Sequence, residues 1–108
     1  MPRVRIVLMM VPRLLADVIR GALARADTPP LVEECAEPRI NPEYLSSFDA
    51  DAIILGAPAT ETDVAAIHLA LPQVRVLSVS ADLRWLHGPG EHERRPLDAR
   101  NLIDALQL

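Results

Sequence analysis

The chain is poor in cysteine and has no lysine. Cys35 is its single cysteine, which excludes an internal disulfide and a multi-cysteine metal site. The eleven basic residues are all arginine, so there is no Gly-x-x-x-x-Gly-Lys nucleotide-binding loop. The residues around Cys35 are typical of a strand, and we interpret its thiol as a packed side chain rather than a reactive one.

Aromatic residues and long apolar runs are also scarce. Trp, Tyr and Phe occur once each, and the apolar run near the N-terminus ends at Pro12, too early for a membrane span or a signal peptide. The net charge of −4 does not favour a general nucleic-acid surface. Half of the residues are hydrophobic, and a chain of 108 residues can bury one core. We therefore expect a single cytoplasmic domain over residues 1–108.

Short apolar runs alternate with segments of helical period. The predicted strands are residues 4–10, 31–36 (at an edge, because of its glutamates), 51–55, 74–80 and, least regular, 91–95. The predicted helices are residues 13–24, 61–71 and 98–107, with a single helical turn at 82–87. This alternation predicts right-handed βαβ units and a mainly parallel sheet covered on both faces.

Apolar spacing and capping residues give the helices their expected orientations. The buried face of the first helix is predicted to hold Leu14, Leu15, Val18, Ile19, Ala22 and Leu23. The inner face of the second is predicted to hold Val64, Ile67 and Leu71. Asp98 has the character of an N-cap for the last helix, with Leu97 and Leu102 at the spacing of a hydrophobic staple.

The order of these elements resembles a receiver domain, the CheY-like module of bacterial response regulators, over Val4 to Leu106. Receivers carry an acidic pair after the first strand, a place held here by Met9 and Met10. Their phosphoacceptor aspartate ends the third strand, where this chain has Gly56. The resemblance implies a flavodoxin-like three-layer α/β fold with a parallel five-stranded sheet of order 2-1-3-4-5.

Two further marker positions match the receiver pattern. Ser80-Ala81 corresponds to the Ser/Thr-Ala pair after the fourth strand, and Arg95-Pro96 to the Lys-Pro pair before the last helix. Only residues 81–94 lie between Ser80 and Arg95, so the fourth helix is expected to be shortened or missing.

The residues that perform receiver chemistry are absent. Phosphoryl transfer to the usual site needs a carboxylate nucleophile and carboxylate oxygens that hold a hard cation, and Met9, Met10 and Gly56 provide neither. We therefore expect a non-enzymatic pseudo-receiver without metal or cofactor, which works in signalling through protein–protein contact.

The expected contact surface contains Leu83, Trp85 and Leu86 together with Leu102 and Leu106 of the last helix. Tryptophan is enriched at interface hot spots, and the partner is expected to be another protein or a second copy of the chain. The alternative for Trp85 is that it fills the space left by the missing helix.

A second hypothesis is a sensor for a small anionic ligand or nucleotide, held by Ser80 and Arg95 in the crevice above Gly56. The alternative is that Arg95 pairs with Glu93 or Asp98 and that Ser80 caps a turn. The residues His87, Glu91, His92 and Glu93 match no zinc spacing and are interpreted as a solvated loop. His68 is likewise interpreted as a surface or partly buried side chain.

Overall fold

A computed structural model describes residues 4–35, 49–56, 61–80, 82, 84–87 and 94–106. These residues form an α/β structure with six strands and three helices. The elements are β1 (Arg5–Met9), α1 (Arg13–Leu23), β2 (Leu31–Cys35), β3 (Ala52–Leu55), α2 (Glu61–Ala70), β4 (Arg75–Val79), β5 (Trp85–His87), β6 (Arg94–Pro96) and α3 (Ala99–Leu106).

Four parallel strands form the larger part of the sheet, in the order β2-β1-β3-β4. The central strands β1 and β3 pair with Ile6 opposite Ala52 and Met9 opposite Leu55. All four residues of β3 are buried, as expected for an apolar strand covered on both faces. The predictions for these strands are confirmed, including the position of β2 at an edge of the described sheet.

The rest of the sheet corrects the prediction of five parallel strands. β5 pairs antiparallel with β4, and β6 pairs antiparallel with β5, so the order is β2-β1-β3-β4-β5-β6. Residues 80–84 alone connect β4 to β5, whereas a parallel crossover needs about a dozen residues or more. Trp85–His87 is therefore a strand and not the predicted helical turn, and the last strand lies at Arg94–Pro96 rather than at 91–95.

Two clusters of buried side chains, one on each side of the sheet, give the described structure three layers. On one side α1 and α3 pack against Ile6, Leu8 and Leu77. On the other side α2 packs through Ile67 against a cluster that includes Val7 and Ile53. Val64 and Leu71 are partly buried against the second cluster, in agreement with the predicted inner face of α2. Cys35 is buried there as well, as a packed thiol.

The orientation of α1 was predicted only in part. Leu15, Ile19 and Leu23 are buried as expected, together with Ala16. Leu14 and Val18, however, are 77% and 59% exposed. The six apolar positions of α1 cover about half of the helix circumference, while contact with the sheet buries a narrower stripe. Two large apolar side chains are consequently left facing outward.

The last helix begins as the sequence predicts. The Asp98 carboxylate accepts the Asn101 backbone N–H at 2.7 Å, and the Asp98 carbonyl accepts the Leu102 N–H at 3.0 Å. Leu97 packs against the same cluster that buries Leu102, which is the arrangement of a hydrophobic staple. The cap therefore positions the short helix whose Leu102 and Leu106 close the core.

Helix side chains donate hydrogen bonds to backbone carbonyls of both edge strands of the described sheet. At β2, Arg20 of α1 donates to the Val32 carbonyl at 3.1 Å and pairs with Glu34 at 3.0 Å. At β6, the Asn101 amide donates to the Pro96 carbonyl at 2.8 Å, and Pro96 itself has no N–H to offer. Both arrangements reduce the number of free groups with which another strand could pair.

We expect Asp98→Ala to destabilise the protein by about 0.5–2 kcal/mol, because the first turn of α3 loses its side-chain acceptor. The matched control is Asp104→Ala, an exposed position on the same helix. Urea unfolding monitored by circular dichroism measures both changes. Equal losses in the two variants would contradict the role assigned to Asp98.

Candidate functional site

The end of β3 is closed by the backbone of the loop that follows β1. Gly56 is buried, and its N–H donates to the Met9 carbonyl at 2.9 Å. A Cβ atom placed on Gly56 would lie 1.9 Å from the Met10 carbonyl oxygen and 2.7 Å from its carbon. No side chain fits at position 56 while the Met10 peptide keeps this place.

Met9 and Met10, which the resemblance aligns with the acidic pair of receivers, have different environments. Met9 is completely buried in the cluster on the α2 side of the sheet. Met10 is partly buried against the same cluster and has a φ of 58°, a left-handed conformation that is costly for a residue other than glycine. Neither side chain carries an oxygen that could hold a cation.

Ser80 organises the turn between β4 and β5. Its hydroxyl donates to the Asp82 carboxylate at 2.5 Å and accepts the Trp85 N–H at 3.0 Å. Asp82 also accepts the Arg84 N–H at 3.1 Å. The alternative interpretation of Ser80, that it caps a turn, is confirmed.

The same hydrogen bonds act on the acidity of Asp82. The Ser80 hydroxyl, followed by the Arg84 backbone N–H, lowers the pKa of the Asp82 carboxyl below its ordinary value of 3.8. A carboxylate at this point is also unfavourable for an anion approaching Ser80. The Ser80 hydroxyl therefore does not provide the donor that the anion-site hypothesis requires.

Arg95 lies apart from Ser80 in the pairing of the sheet. It is exposed in β6 and pairs with Leu86 from one side of β5, whereas Ser80, which follows β4, pairs with Trp85 from the other side of β5. No hydrogen bond joins Ser80 to Arg95, and Arg95 forms no ion pair with the described Asp98. Glu93, its other expected partner, lies outside the described residues.

Of the predicted contact surface, Trp85 keeps a position from which it can reach a partner. It is half-buried, and the Arg94 guanidinium carbon lies 4.1 Å from the centre of its ring, a cation–π arrangement. The ladder places Trp85 opposite Pro96 and His87 opposite Arg94, so these four side chains share one face of the sheet. We call this set, Trp85, His87, Arg94 and Pro96, the tryptophan face.

The other members of the predicted surface need correction. Leu86, Leu102 and Leu106 are buried in the cluster beneath α1 and α3, so they belong to the core. Leu86 alternates with Trp85 along β5, and the two side chains therefore point to opposite faces of the sheet. Leu83 lies outside the described residues.

Two features were missed in the sequence. The stacking of Arg94 on Trp85 depends on pairing between β5 and β6, for which no local pattern gives a signal. A shallow cavity of about 400 Å³ lies where β3 and β4 begin, between residues Asp49–Asp51 and Leu71–Val74. Asp51 within it accepts the Arg5 N–H at 2.9 Å, which ties the start of β3 to β1.

The described part of the chain contains no group of three or more His, Cys, Asp or Glu side chains that could hold a metal ion. Only His87 of the sequence cluster of histidines and glutamates lies within it. Among its helices, none combines the length and apolar character needed to cross a membrane. Comparisons with family models, with curated proteins and with solved structures found no match to the chain.

We expect Gly56→Ala to destabilise the protein by about 1–3 kcal/mol, because the added methyl group overlaps the Met10 carbonyl and the loop must move. The matched control is Gly21→Ala on the exposed side of α1, where a Cβ meets nothing within 4 Å. That change should stabilise the helix by about 0.5–1 kcal/mol. Urea unfolding at low protein concentration measures both, and a neutral Gly56→Ala would contradict the close approach.

The turn at Asp82 should make a small, pH-dependent contribution to stability. Because the folded pKa is lowered, the contribution is complete above the unfolded value and is lost as the pH falls through the folded pKa, below 3.8. The urea midpoint of wild type should therefore exceed that of Asp82→Asn near pH 6, and the difference should shrink as the pH falls below 3.8. NMR titration of the Asp82 carboxyl should give a midpoint below 3.8. A midpoint at or above that value would contradict the assigned hydrogen bonds.

Proposed function

We propose that this chain is a receiver-like domain without phosphotransfer chemistry, which acts in bacterial cytoplasmic signalling by binding another protein. The observation that carries the proposal is the closed end of β3. The Met10 carbonyl occupies the space in which a side chain at position 56 would lie. An aspartate could not be introduced there without moving the loop, and Met9 is part of the core.

The proposed contact is made by the tryptophan face. Leu86 packs toward α1 and α3, so Trp85 projects to the other side of the sheet. Of the described helices, α2 lies on that side, where it contacts β4. Arg94 and Pro96 are exposed, and Trp85 is half-buried. The stacked Arg94 holds the indole ring in place, so less side-chain entropy is lost when a partner binds.

The composition of this face suits a protein contact better than a small-ligand site. Tryptophan and arginine are the residues most enriched at interface hot spots. The alternative, a sensor for a small anion, relied on Ser80 and Arg95. Ser80 is already bonded to Asp82 and Trp85, and Arg95 faces Leu86 in the ladder. No described contact favours that second function.

Trp85→Ala should weaken binding of a specific partner roughly 30-fold, as expected for a tryptophan at a hot spot. The test is affinity capture from a lysate of the cells that produce the protein, followed by mass spectrometry. Leu69→Ala is the control, because Leu69 is an 87% exposed leucine on α2. A partner retained by wild type and by the control, but lost from a folded Trp85→Ala protein, would support the proposal.

Two results would overturn the proposal. One is that the same proteins are captured by Trp85→Ala as by wild type, or that none is captured reproducibly. The other comes from incubation with acetyl phosphate and Mg²⁺, which should leave the intact mass unchanged. A stable gain of one phosphoryl group would mean that the domain retains receiver chemistry.

A further inference from the structure

The tryptophan face continues onto β4 through a row of three polar side chains. Ser78 pairs with His87, and His87 pairs with Arg94, so the three residues lie side by side on neighbouring strands. Leu77 and Val79, which flank Ser78 in β4, are buried in the cluster beneath α1 and α3. Because successive residues of a strand point to opposite faces, Ser78 points to the side of the tryptophan face. We call Ser78, His87 and Arg94 the donor row.

The donor row consists mainly of groups that donate hydrogen bonds. A guanidinium has five N–H donors and no acceptor, and a hydroxyl and an imidazole each add a donor. Within the described part of the chain, no hydrogen bond or ion pair engages these three side chains. In contrast, Arg75 donates to the Ala105 carbonyl, and Arg20 pairs with Glu34. The donors of the row therefore remain available to a group that another molecule supplies.

The donor row lies beside the exposed surface of Trp85. Arg94 is exposed, whereas Ser78 and His87 are partly buried. Neighbouring strands are about 4.8 Å apart, so the row extends over about 10 Å from Ser78 to Arg94. At its basic end, the Arg94 guanidinium carbon lies 4.1 Å from the centre of the indole ring. A cationic donor and an aromatic surface are thus offered to the same partner.

The donors determine what kind of partner can cover Trp85. A contact at the tryptophan face would remove water from Arg94 and its neighbours in the row. A buried donor without an acceptor loses its bonds to water and gains nothing in exchange, and the cost is larger for a charged group. A carboxylate has only acceptors, and it pairs with a guanidinium through two parallel hydrogen bonds. A cationic or purely apolar surface would leave the donors unpaired.

We propose that the tryptophan face binds an acidic segment of a partner protein. Its Asp or Glu carboxylates pair with the donor row, while an apolar side chain packs against Trp85. This inference rests on the proposed contact at the tryptophan face and specifies the chemistry of the partner. The chain as a whole has a net charge of −4, so Arg94 provides a positive group on a negatively charged molecule. Complementary charge directs an acidic segment to that group rather than to the rest of the surface.

The first experiment selects peptides from a random displayed library on immobilised wild-type protein. We expect the bound peptides to be enriched in Asp and Glu relative to the unselected library, with an apolar residue close to the acidic ones. Selection on Arg94→Glu should abolish this enrichment. Arg13→Glu should retain it, and this variant is the matched control because it makes the same change of charge at an exposed position of α1, across the sheet from Trp85.

The second experiment measures the affinity of a selected peptide. Trp85 is the single tryptophan of the chain, so its fluorescence reports binding at the face itself. Arg94→Glu should weaken binding at least about tenfold, and replacing the acidic residues of the peptide with Asn or Gln should do the same. His87→Ala should weaken it about threefold, since a single donor is lost. Raising the salt from about 0.1 M to about 1 M should also weaken binding.

The outcomes separate this inference from the proposed function. Selected peptides without acidic residues that fail to bind a folded Trp85→Ala protein would overturn the acidic partner and leave the contact standing. Acidic peptides that bind wild type, Trp85→Ala and Arg94→Glu equally would overturn both. An unchanged affinity of the Asn- or Gln-substituted peptide, or no enriched peptide at all, would overturn the inference.

Folding of the variants is checked by circular dichroism and unfolding midpoints. Should Arg94→Glu fail to fold, Arg94→Gln replaces it, because glutamine removes the positive charge without adding a negative one. That variant should also weaken binding of the acidic peptide. Equal affinity in a folded Arg94→Gln protein would overturn the inference.

Discussion

The short connection between β4 and β5 is the constraint on which the second half of the structure depends. Residues 80–84 can form a hairpin but cannot carry the chain across the sheet to start another parallel strand. Ser80 and Asp82 stabilise that hairpin by bonding to the backbone of Trp85 and Arg84. Once β5 runs antiparallel, β6 can pair with it, and α3 returns the chain to the side of the sheet that carries α1.

The hairpin also determines which side chains remain available. In a strand, Leu86 and Trp85 must point to opposite faces, so the leucine enters the core and the tryptophan does not. Arg94 then lies over the indole ring because β6 is the neighbouring strand. The cation–π pair contributes about 0.5–1 kcal/mol at an exposed site, which is enough to favour one ring orientation. A single short connection thus creates both the edge of the sheet and the face proposed to bind a partner.

The sequence predicts the elements that have a clear period, and it fails where a structure depends on distant pairing. The strands β1, β3 and β4, the inner face of α2 and the Asp98 cap all follow from local patterns. Trp85–His87 is too short to show any period, and it is a strand because β4 pairs with it on one side and β6 on the other. At the site, the sequence alone shows that Met9, Met10 and Gly56 provide no carboxylate. The positive φ of Met10 and its contact with Gly56 are not, since they require the loop to be seen against β3.

The closed end of β3 and the exposed side chains both bear on how this chain can function. The left-handed conformation of Met10 costs about 1–2 kcal/mol. In this conformation the Met10 peptide lies against Gly56 at the end of β3, where any residue with a Cβ atom would overlap the Met10 carbonyl. This close approach leaves no space for a side chain at position 56. We therefore propose that the domain acts through contacts at its outer surface. The tryptophan face, on which Arg94 stacks against Trp85, is the surface that we propose for such a contact.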